Sequence, residues 1–201
     1  MKTTIAVYEE AFKDFSPSGE LLKIFTYPSP ILKKVAKPVE DFNEDLKSLC
    51  LNMLYTMYKA PGIGLAAPQV GISERIFVMD IDYKREAVTR ADGTNDYQLS
   101  HFNPMIFINP VIENKRGEIL YQEGCLSVPG VYEDVKRAEE ISVKFQDWDG
   151  NHHTIEANEL LSVCIQHEND HLEGIVFLER LSMLKKNLLM KKFLKKKKKG
   201  K

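Results

Sequence analysis

The segment CIQHENDHLEG, residues 164–174, places two histidines four residues apart, with a glutamate directly after the first. On a helix, imidazoles at this spacing lie one turn apart on the same face, so their nitrogens can bind a common metal ion. Glu168 lies about one residue's rotation from the line through His167 and His171, where its carboxylate can reach a water molecule without binding the metal. This pattern is typical of a hydrolytic metal site.

The alternative for this segment is a solvated helix surface that carries two histidines and a glutamate. The flanking sequences LLSVCI and IVFL are apolar, which favours a buried helix. Buried ionisable side chains need partners, because an unpaired buried charge is costly. The apolar flanks therefore favour a metal site over a solvated surface.

A third metal ligand must come from earlier in the chain. Hydrolytic zinc sites usually have three protein ligands and one open position. Beyond His171 the chain has no further histidine, and its acidic residues there are Glu173 and Glu179. The candidates are His101, Cys125, His152 and His153. Cys125 is favoured because it follows a predicted strand in the glycine- and proline-rich bend YQEGCLSVPG, and a thiolate beside a dication is deprotonated and binds it well.

The segment APGIGLAAPQVG has the residue spacing of a dinucleotide-binding loop at Gly62, Gly64 and Ala67. Such a loop needs a strand before its glycines and a helix from the third position onward. Here a helical pattern comes first and a proline follows, so the match does not predict a cofactor site. A bare backbone that a ligand can approach closely is the better interpretation. Gln69 then offers a side-chain amide at the rim of the site, unless it only caps a turn.

Hydrophobic periodicity predicts the elements that position these residues. A helical pattern in FNEDLKSLCLNMLYTMYKA begins after Asn43 as N-cap. A strand-rich region follows, with short apolar or alternating runs in RIFVMDI, MIFINPVI, GEILYQ, ISVKFQDW and HHTIEA. The polar interval 82–101 is predicted to be a loop or hairpin. The histidine-bearing helix is predicted to begin after Asn158 and to stop at Gly174.

The composition is that of a soluble globular protein, with 43% apolar and 28% charged residues among 201, enough for one main core. No stretch approaches the roughly 18 unbroken apolar residues of a membrane helix, so no membrane partner is expected. The start of the chain does not match a secretory or transit peptide. A cytoplasmic location with reduced cysteines is therefore expected. Cys50, on the apolar stripe of the first helix, is predicted to be a buried structural thiol.

Charge is distributed unevenly along the chain. Residues 184–201 contain ten lysines and no acidic residue, whereas the other 183 residues carry the remaining 18 basic and all 29 acidic groups. We therefore divide the chain into an N-terminal extension, 1–21, a catalytic domain, 22–183, and a basic C-terminal helix or tail, 184–201. The tail is either a fraying, solvated end or an anchor for ribosomal RNA, since lysines neutralise phosphates.

Three motifs, GIGLAAPQVG, EGCLSVP and QHENDHLEG, in this order and at these separations, resemble the motifs of peptide deformylases. The resemblance covers residues 22 to about 184. It implies an α+β fold in which antiparallel strands pack around the central helix with the HExxH histidines, to which the sequence adds a C-terminal helix. It also implies a metal-dependent hydrolase that removes the N-formyl group from the N-terminal methionine of newly synthesised polypeptides and releases formate.

The resemblance also implies roles for individual residues. The metal ligands would be Cys125, His167 and His171. Glu168 would be the catalytic acid and base, while the Gln69 amide and the Leu126 backbone N–H would hold the carbonyl oxygen. Gly64 and Gly124 would line the substrate groove. The family's native metal is Fe(II), for which zinc, nickel or cobalt can substitute.

Two positions depart from patterns seen in some family members, which have an acidic residue where this chain has Pro61 and an arginine where it has Tyr132. The binding of the peptide part of the substrate is therefore expected to differ. We also predict a partly buried ion pair between Glu123 and Arg137 on neighbouring strands, which would orient the bend at Cys125.

Two other classes of protein remain as alternatives. A general metallopeptidase is disfavoured because its downstream third ligand is missing. A nucleic-acid-binding module with a structural metal would need four ligands and a closed site, and three are well placed here.

Overall fold

A five-stranded antiparallel sheet forms the centre of the fold in the computed structural model, which describes residues 8, 11–90 and 92–199. Its strands, in spatial order, are β1 (Gly64–Ala66), β2 (Ile76–Met79), β5 (Met105–Arg116), β8 (Glu140–Gln146) and β9 (His152–Asn158). Every neighbouring pair is antiparallel. With three helices, this confirms the expected α+β class.

Two separate two-stranded ribbons complete the β-structure. β3 (Lys84–Thr89) and β4 (Asn95–Ser100) form the hairpin expected in the polar interval. β6 (Ile119–Gly124) and β7 (Tyr132–Arg137) enclose the bend that contains Cys125. Neither β1 nor β7 was predicted as a strand. β1 is only three residues long, and β7, with the sequence YEDVKR, has too few apolar residues to show an alternating pattern.

The first helix, α1, spans Glu44–Lys59 and packs against the sheet. The side chain of Asn43 accepts a hydrogen bond from the backbone N–H of Leu46 at 3.0 Å, which confirms the predicted N-cap. Cys50 is fully buried in the apolar stripe of this helix, as predicted. Burial raises the pKa of its thiol to about 12, so it remains protonated at neutral pH.

The second helix, α2, spans Glu159–Leu172 and is almost entirely buried against the sheet. Asn158 is its N-cap residue, as predicted, although its side chain makes no capping hydrogen bond. The helix stops before Gly174, whose φ of +69° is the left-handed conformation that glycine adopts most easily. Burial of α2 supports the interpretation that its ionisable residues have partners inside the protein.

The third helix, α3, spans Met183–Lys199 and contains most of the lysine-rich segment. Met190 and Phe193 are buried in a second, smaller hydrophobic cluster with Val135 of β7 and Phe177. Residues 183–199 are therefore a packed helix and not a fraying end. Within the described residues, no helix combines the length and the apolar character needed to cross a membrane.

Part of the predicted N-terminal extension packs on the main core. Tyr8 and Phe12 are buried, and the Tyr8 hydroxyl donates a hydrogen bond to the backbone carbonyl of Ile106 on β5 at 2.7 Å. Their rings also contact Trp148, with centroid separations of 6.1 and 5.2 Å. The extension thus contributes aromatic side chains to the core, and the division of the chain at residue 21 stays a prediction.

Candidate metal centre

Cys125, His167 and His171 come together although 42 residues separate the cysteine from the first histidine. Cys125 directly follows β6, and both histidines lie in the second half of α2. The Cys125 Sγ is 3.3 Å from the His171 Nε2. One ligand atom from each of the three residues lies within 4.8 Å of the other two. Cys125 is therefore the upstream candidate that the fold brings to the histidine pair.

The other upstream candidates lie elsewhere. His101 and His152 are exposed, and the His153 Nε2 is 2.7 Å from Asp147 Oδ2 in the β8–β9 turn. His152 and His153 lie at the start of β9, in the hairpin that β9 forms with β8.

The donor set fits a divalent metal ion. One thiolate and two imidazole nitrogens suit zinc, iron, cobalt and nickel, and three ligands leave a position open for water or substrate. Burial alone would raise the pKa of Cys125, but the neighbouring His171 and His167 lower it to about 5. The sulfur is therefore a thiolate at neutral pH, which is the form that binds metal. The Nδ1 of His167 is held by Glu123 at 2.8 Å, which leaves Nε2 for the ion.

Glu123 and Arg137 form the predicted ion pair, and both side chains are almost fully buried, at 3% and 4% exposed. Arg137 donates from Nε to Glu123 Oε1 at 2.7 Å and from Nη2 to Oε2 at 3.0 Å. Burial would raise the pKa of Glu123, but Arg137 and His167 lower it to about 2. Glu123 is thus a fixed negative charge that orients His167.

Two members of this network were missed from the sequence. Asp170 accepts a hydrogen bond from Arg137 Nη1 at 2.6 Å, and Arg180 binds the same carboxylate. Asp170 lies one helical turn after His167 on a buried helix. Because a buried carboxylate requires a positively charged partner, its position in the sequence could have predicted an ion pair here. Nothing in the sequence indicates which cation meets it, because Arg137 is 33 residues away.

Glu168 is buried beside the three ligands, and its Oε2 has no hydrogen-bond partner among the described residues. Burial raises the pKa of this carboxyl group to about 7. The residue faces the backbone of β1: a Cβ atom added to Gly64 would lie 2.8 Å from the Glu168 carboxyl carbon. A side chain at position 64 would displace the carboxylate, so the glycine provides space for it.

Gln69 is buried in a short 3₁₀ helix, Ala67–Val70, that follows β1. Its Oε1 accepts a hydrogen bond from the Ala66 N–H at 2.8 Å, which fixes the amide plane. Its Nε2 donates to the Ser127 hydroxyl at 3.1 Å and lies 3.5 Å from the Cys125 sulfur. Gln69 therefore both caps its own turn and points an N–H group at the site. Ser127, buried in the bend after Cys125, was missed from the sequence.

A cavity of about 420 Å³ opens beside these residues. All three sequence motifs contribute to its wall, through Gly64, Gln69, Gly124, Leu126 and Glu168 among others. Tyr132 and Pro61 also line it, and among the residues that the structure describes no lysine or arginine does. The Tyr132 ring lies over Gly124, where an added Cβ would be 2.6 Å from its Cε1. The lining is largely apolar, with Glu123 and Glu168 as its acidic residues, and such a cavity suits an uncharged, partly apolar ligand.

Known proteins that resemble the chain share one description. The family model described as polypeptide deformylase matches residues 21–187. A peptide deformylase of Neisseria meningitidis is 47% identical over 178 residues, which cover 89% of this chain and 97% of that protein. A peptide deformylase of Zymomonas mobilis is also 47% identical, covering 89% of this chain and 96% of the relative.

Solved structures agree with the sequence relatives. The crystal structure of a peptide deformylase from Legionella pneumophila has a TM-score of 0.77 and 41% identity, covering 89% of this chain and 96% of that one. The enzyme from Synechococcus elongatus, in complex with actinonin, has a TM-score of 0.73 and 37% identity, covering 88% of both chains. The chain therefore belongs to the peptide deformylase family, metal-dependent hydrolases that remove the formyl group from the N-terminus of newly made polypeptides.

Proposed function

We propose that Cys125, His167 and His171 hold one divalent metal ion, natively Fe(II), and that Glu168 moves the protons of the deformylation reaction at this ion. The observation that carries this proposal is the convergence of one sulfur and two imidazoles within 4.8 Å, next to a buried carboxylate oxygen without a partner. Zinc, nickel or cobalt would be bound by the same donor set.

When bound, the ion acidifies a water molecule and polarises the formyl carbonyl group. Glu168 would accept a proton from the attacking water as the water oxygen bonds to the formyl carbon, and would pass it to the amine nitrogen as the C–N bond breaks and formate is released. The unpartnered Oε2 is the atom available for this transfer, since no other described group competes for it. Burial of the carboxylate excludes bulk water, so the proton stays within the site.

Gln69 and Leu126 would stabilise the negative charge that develops on the carbonyl oxygen. The donors are the Gln69 Nε2, which lies beside the Cys125 sulfur, and the backbone N–H of Leu126, the residue after Cys125. The Gln69 amide is already oriented by Ala66 and Ser127, so little reorganisation is needed during the reaction.

The cavity supports binding of the end of a peptide chain. Gly64 and Gly124 are the groove residues, and neither can carry a side chain without displacing Glu168 or Tyr132. Apolar side chains that line the cavity, among them Leu126, Val131 and Val163, suit the methionine side chain.

Two measurements on protein purified without oxygen test this assignment. Metal analysis should give one ion per chain, predominantly iron, and Cys125→Ser should lower this occupancy because an alcohol oxygen is a poorer ligand for these metals. Full occupancy of Cys125→Ser would remove the sulfur from the ligand set.

Formate release tests the reaction and the metallopeptidase alternative together. A formyl-methionyl peptide should be turned over, whereas the same peptide with a free amino terminus, or a longer peptide cleaved internally, should not. Hydrolysis of unblocked peptides at a comparable rate would favour a general metallopeptidase.

We place the enzyme in the cytoplasm, where formylated chains emerge from the ribosome, and assign α3 to contact ribosomal RNA. Its lysines Lys191, Lys192 and Lys195 are exposed, and they form no ion pair among the described residues. Such lysines can displace counterions from RNA phosphates, so binding should weaken steeply with salt.

Co-sedimentation with ribosomes tests the anchor. Deleting 185–201 would also remove the buried Met190 and Phe193, so the sharper variant replaces the three exposed lysines by glutamine. This variant should bind less well, while replacement of Lys84, Lys115 and Lys144, on the strands, should not matter. Unchanged binding of the α3 variant would contradict the anchor.

A further inference from the structure

Arg180 links the protein surface to the centre of the molecule. It lies at the end of a 3₁₀ helix, Phe177–Arg180, behind the metal-binding face of α2. Its Nε is 3.0 Å from Asp170 Oδ2, and its Nη2 contacts Oδ1, so the interaction is bidentate. The Arg180 side chain is 43% exposed, whereas that of Asp170 is 6% exposed.

A continuous series of ion pairs runs from Arg180 to a proposed metal ligand. Asp170 also accepts a hydrogen bond from Arg137 Nη1 at 2.6 Å. The other guanidinium nitrogens of Arg137 hold both oxygens of Glu123, at 2.7 and 3.0 Å. Glu123 in turn holds the Nδ1 of His167 at 2.8 Å.

The charge balance of this network depends on Arg180. Two buried carboxylates, Glu123 and Asp170, share the single buried guanidinium of Arg137. Without Arg180 this buried set would carry one uncompensated negative charge, which is costly in a medium of low dielectric constant. Asp170 would then compete with Glu123 for Arg137. With Arg180 present, the negative charge of Asp170 is balanced by the guanidinium group nearer the surface. Arg137 can then keep hydrogen bonds from two of its nitrogens to Glu123.

We infer that Arg180 is a positioning residue for the metal centre, which acts through Asp170 and Arg137 to keep Glu123 on the His167 ring. Groups that hold a metal-binding histidine fix the orientation of its ring and thereby slow loss of the metal. Arg180 does so from outside, although it touches neither the ligands nor the substrate cavity. The inference rests on the proposed ligand set of Cys125, His167 and His171.

The test measures metal release from the full chain loaded with nickel(II), with a coloured chelator, 4-(2-pyridylazo)resorcinol, as acceptor. Arg180→Met should release nickel about 3- to 10-fold faster than the unchanged protein, a smaller effect than the roughly 10–100-fold loss of metal affinity typical when a direct partner of a ligand is removed. Arg180→Lys should release nickel at an intermediate rate, because lysine restores the positive charge but not the bidentate interaction with Asp170.

Arg75 offers a matched control. It pairs with Glu173 at the end of the same helix, at 2.7 Å, but Glu173 contacts no partner of a metal ligand among the described residues. Arg75→Met also removes an arginine–carboxylate pair at this helix, with a carboxylate that is 41% exposed where that of Asp170 is 6% exposed, and should release nickel at the original rate. Circular dichroism should show all variants to be folded. If Arg180→Met is not, Arg180→Gln takes its place in the same comparison.

Three results would overturn the inference: release from Arg180→Met within twofold of the unchanged protein, equal acceleration by Arg75→Met, or no slowing by Arg180→Lys relative to Arg180→Met. His167→Ala separates this failure from failure of the ligand set. Undiminished nickel binding by His167→Ala would show that the ligands are wrong. Loss of binding there, with an unchanged rate in Arg180→Met, would overturn the role of Arg180 alone.

Discussion

Gly64→Ala tests whether the fold reserves space for the Glu168 carboxylate. The added Cβ would overlap Glu168 Oε1 and lie 2.8 Å from the carboxyl carbon, where ordinary contacts begin at about 3.4 Å, so the carboxyl group must move by about 1 Å. Position 64 cannot yield instead, because β1 is paired with β2 opposite Met79. Displacement of a reacting group by about 1 Å can cost about 100-fold in rate. We therefore expect kcat to fall about 10- to 100-fold.

Formate release by metal-loaded Gly64→Ala, with the metal content measured on the same sample, is the assay. Metal content should stay near one ion per chain, since the alanine touches no ligand, and stability should fall by about 1–3 kcal/mol from overpacking. Gly62→Ala is the control on the same rim. Its Cβ would lie 2.7 Å from Leu126 Cδ1, a terminal methyl group that can rotate away. Its loss of rate should be less than tenfold. More than half of the original kcat in Gly64→Ala, or an equal loss in both variants, would refute the reasoning.

Three further predictions concern the acid–base group, the thiols and the second cluster. Glu168→Gln should keep its metal but lose about 10²–10⁴-fold in rate, as expected on removal of a general acid–base group, and near-normal formate release would exclude that role. After chelation of the metal, iodoacetamide should label Cys125 down to about pH 5, because the pKa of this thiol is lowered to about 5, and should spare Cys50, whose pKa burial raises to about 12; mass spectrometry that finds Cys50 labelled first would contradict both assignments. Phe193→Ala should lower the free energy of unfolding by about 3 kcal/mol, since its ring is buried in the second cluster, and an unchanged urea midpoint would show that α3 is not docked in solution.

Much of the fold followed from local patterns. The helical period around Cys50 and the run before His167 gave both central helices, with Asn43 and Gly174 at their ends. The short apolar or alternating runs gave most of the central sheet, because a strand buried on both faces, such as β2, is continuously apolar, whereas a half-buried strand, such as β9, alternates. The strands that were missed, β1 and β7, take their conformation from partners. β1 pairs with β2 at the edge of the sheet and packs against α2, and β7 is held by its pairing with β6.

For the site, too, residues close together in the sequence could be predicted, whereas contacts between distant residues could not. The two histidines and Glu168 were found because their spacing on a helix has a chemical meaning by itself. Among four upstream candidates, the residues alone favoured Cys125, and the fold confirms that it reaches the histidines. The family and its activity, expected from three motifs, are also confirmed. Asp170 and Arg180 could not be paired in advance, because that contact depends on how the chain turns after α2.

The ligands come from two segments that pack against different hydrophobic clusters and are joined by the buried contacts of Glu123 with His167 and of Arg137 with Asp170. Cys125 contacts the smaller hydrophobic cluster, whereas the apolar residues of α2 belong to the larger one. A bound ion therefore acts as a cross-link between two blocks. We expect heating to loosen the smaller cluster first, because it contains fewer buried residues, and thereby to separate the sulfur from the imidazole rings while the five-stranded sheet is still intact. Heat inactivation should then precede the melting of the main core.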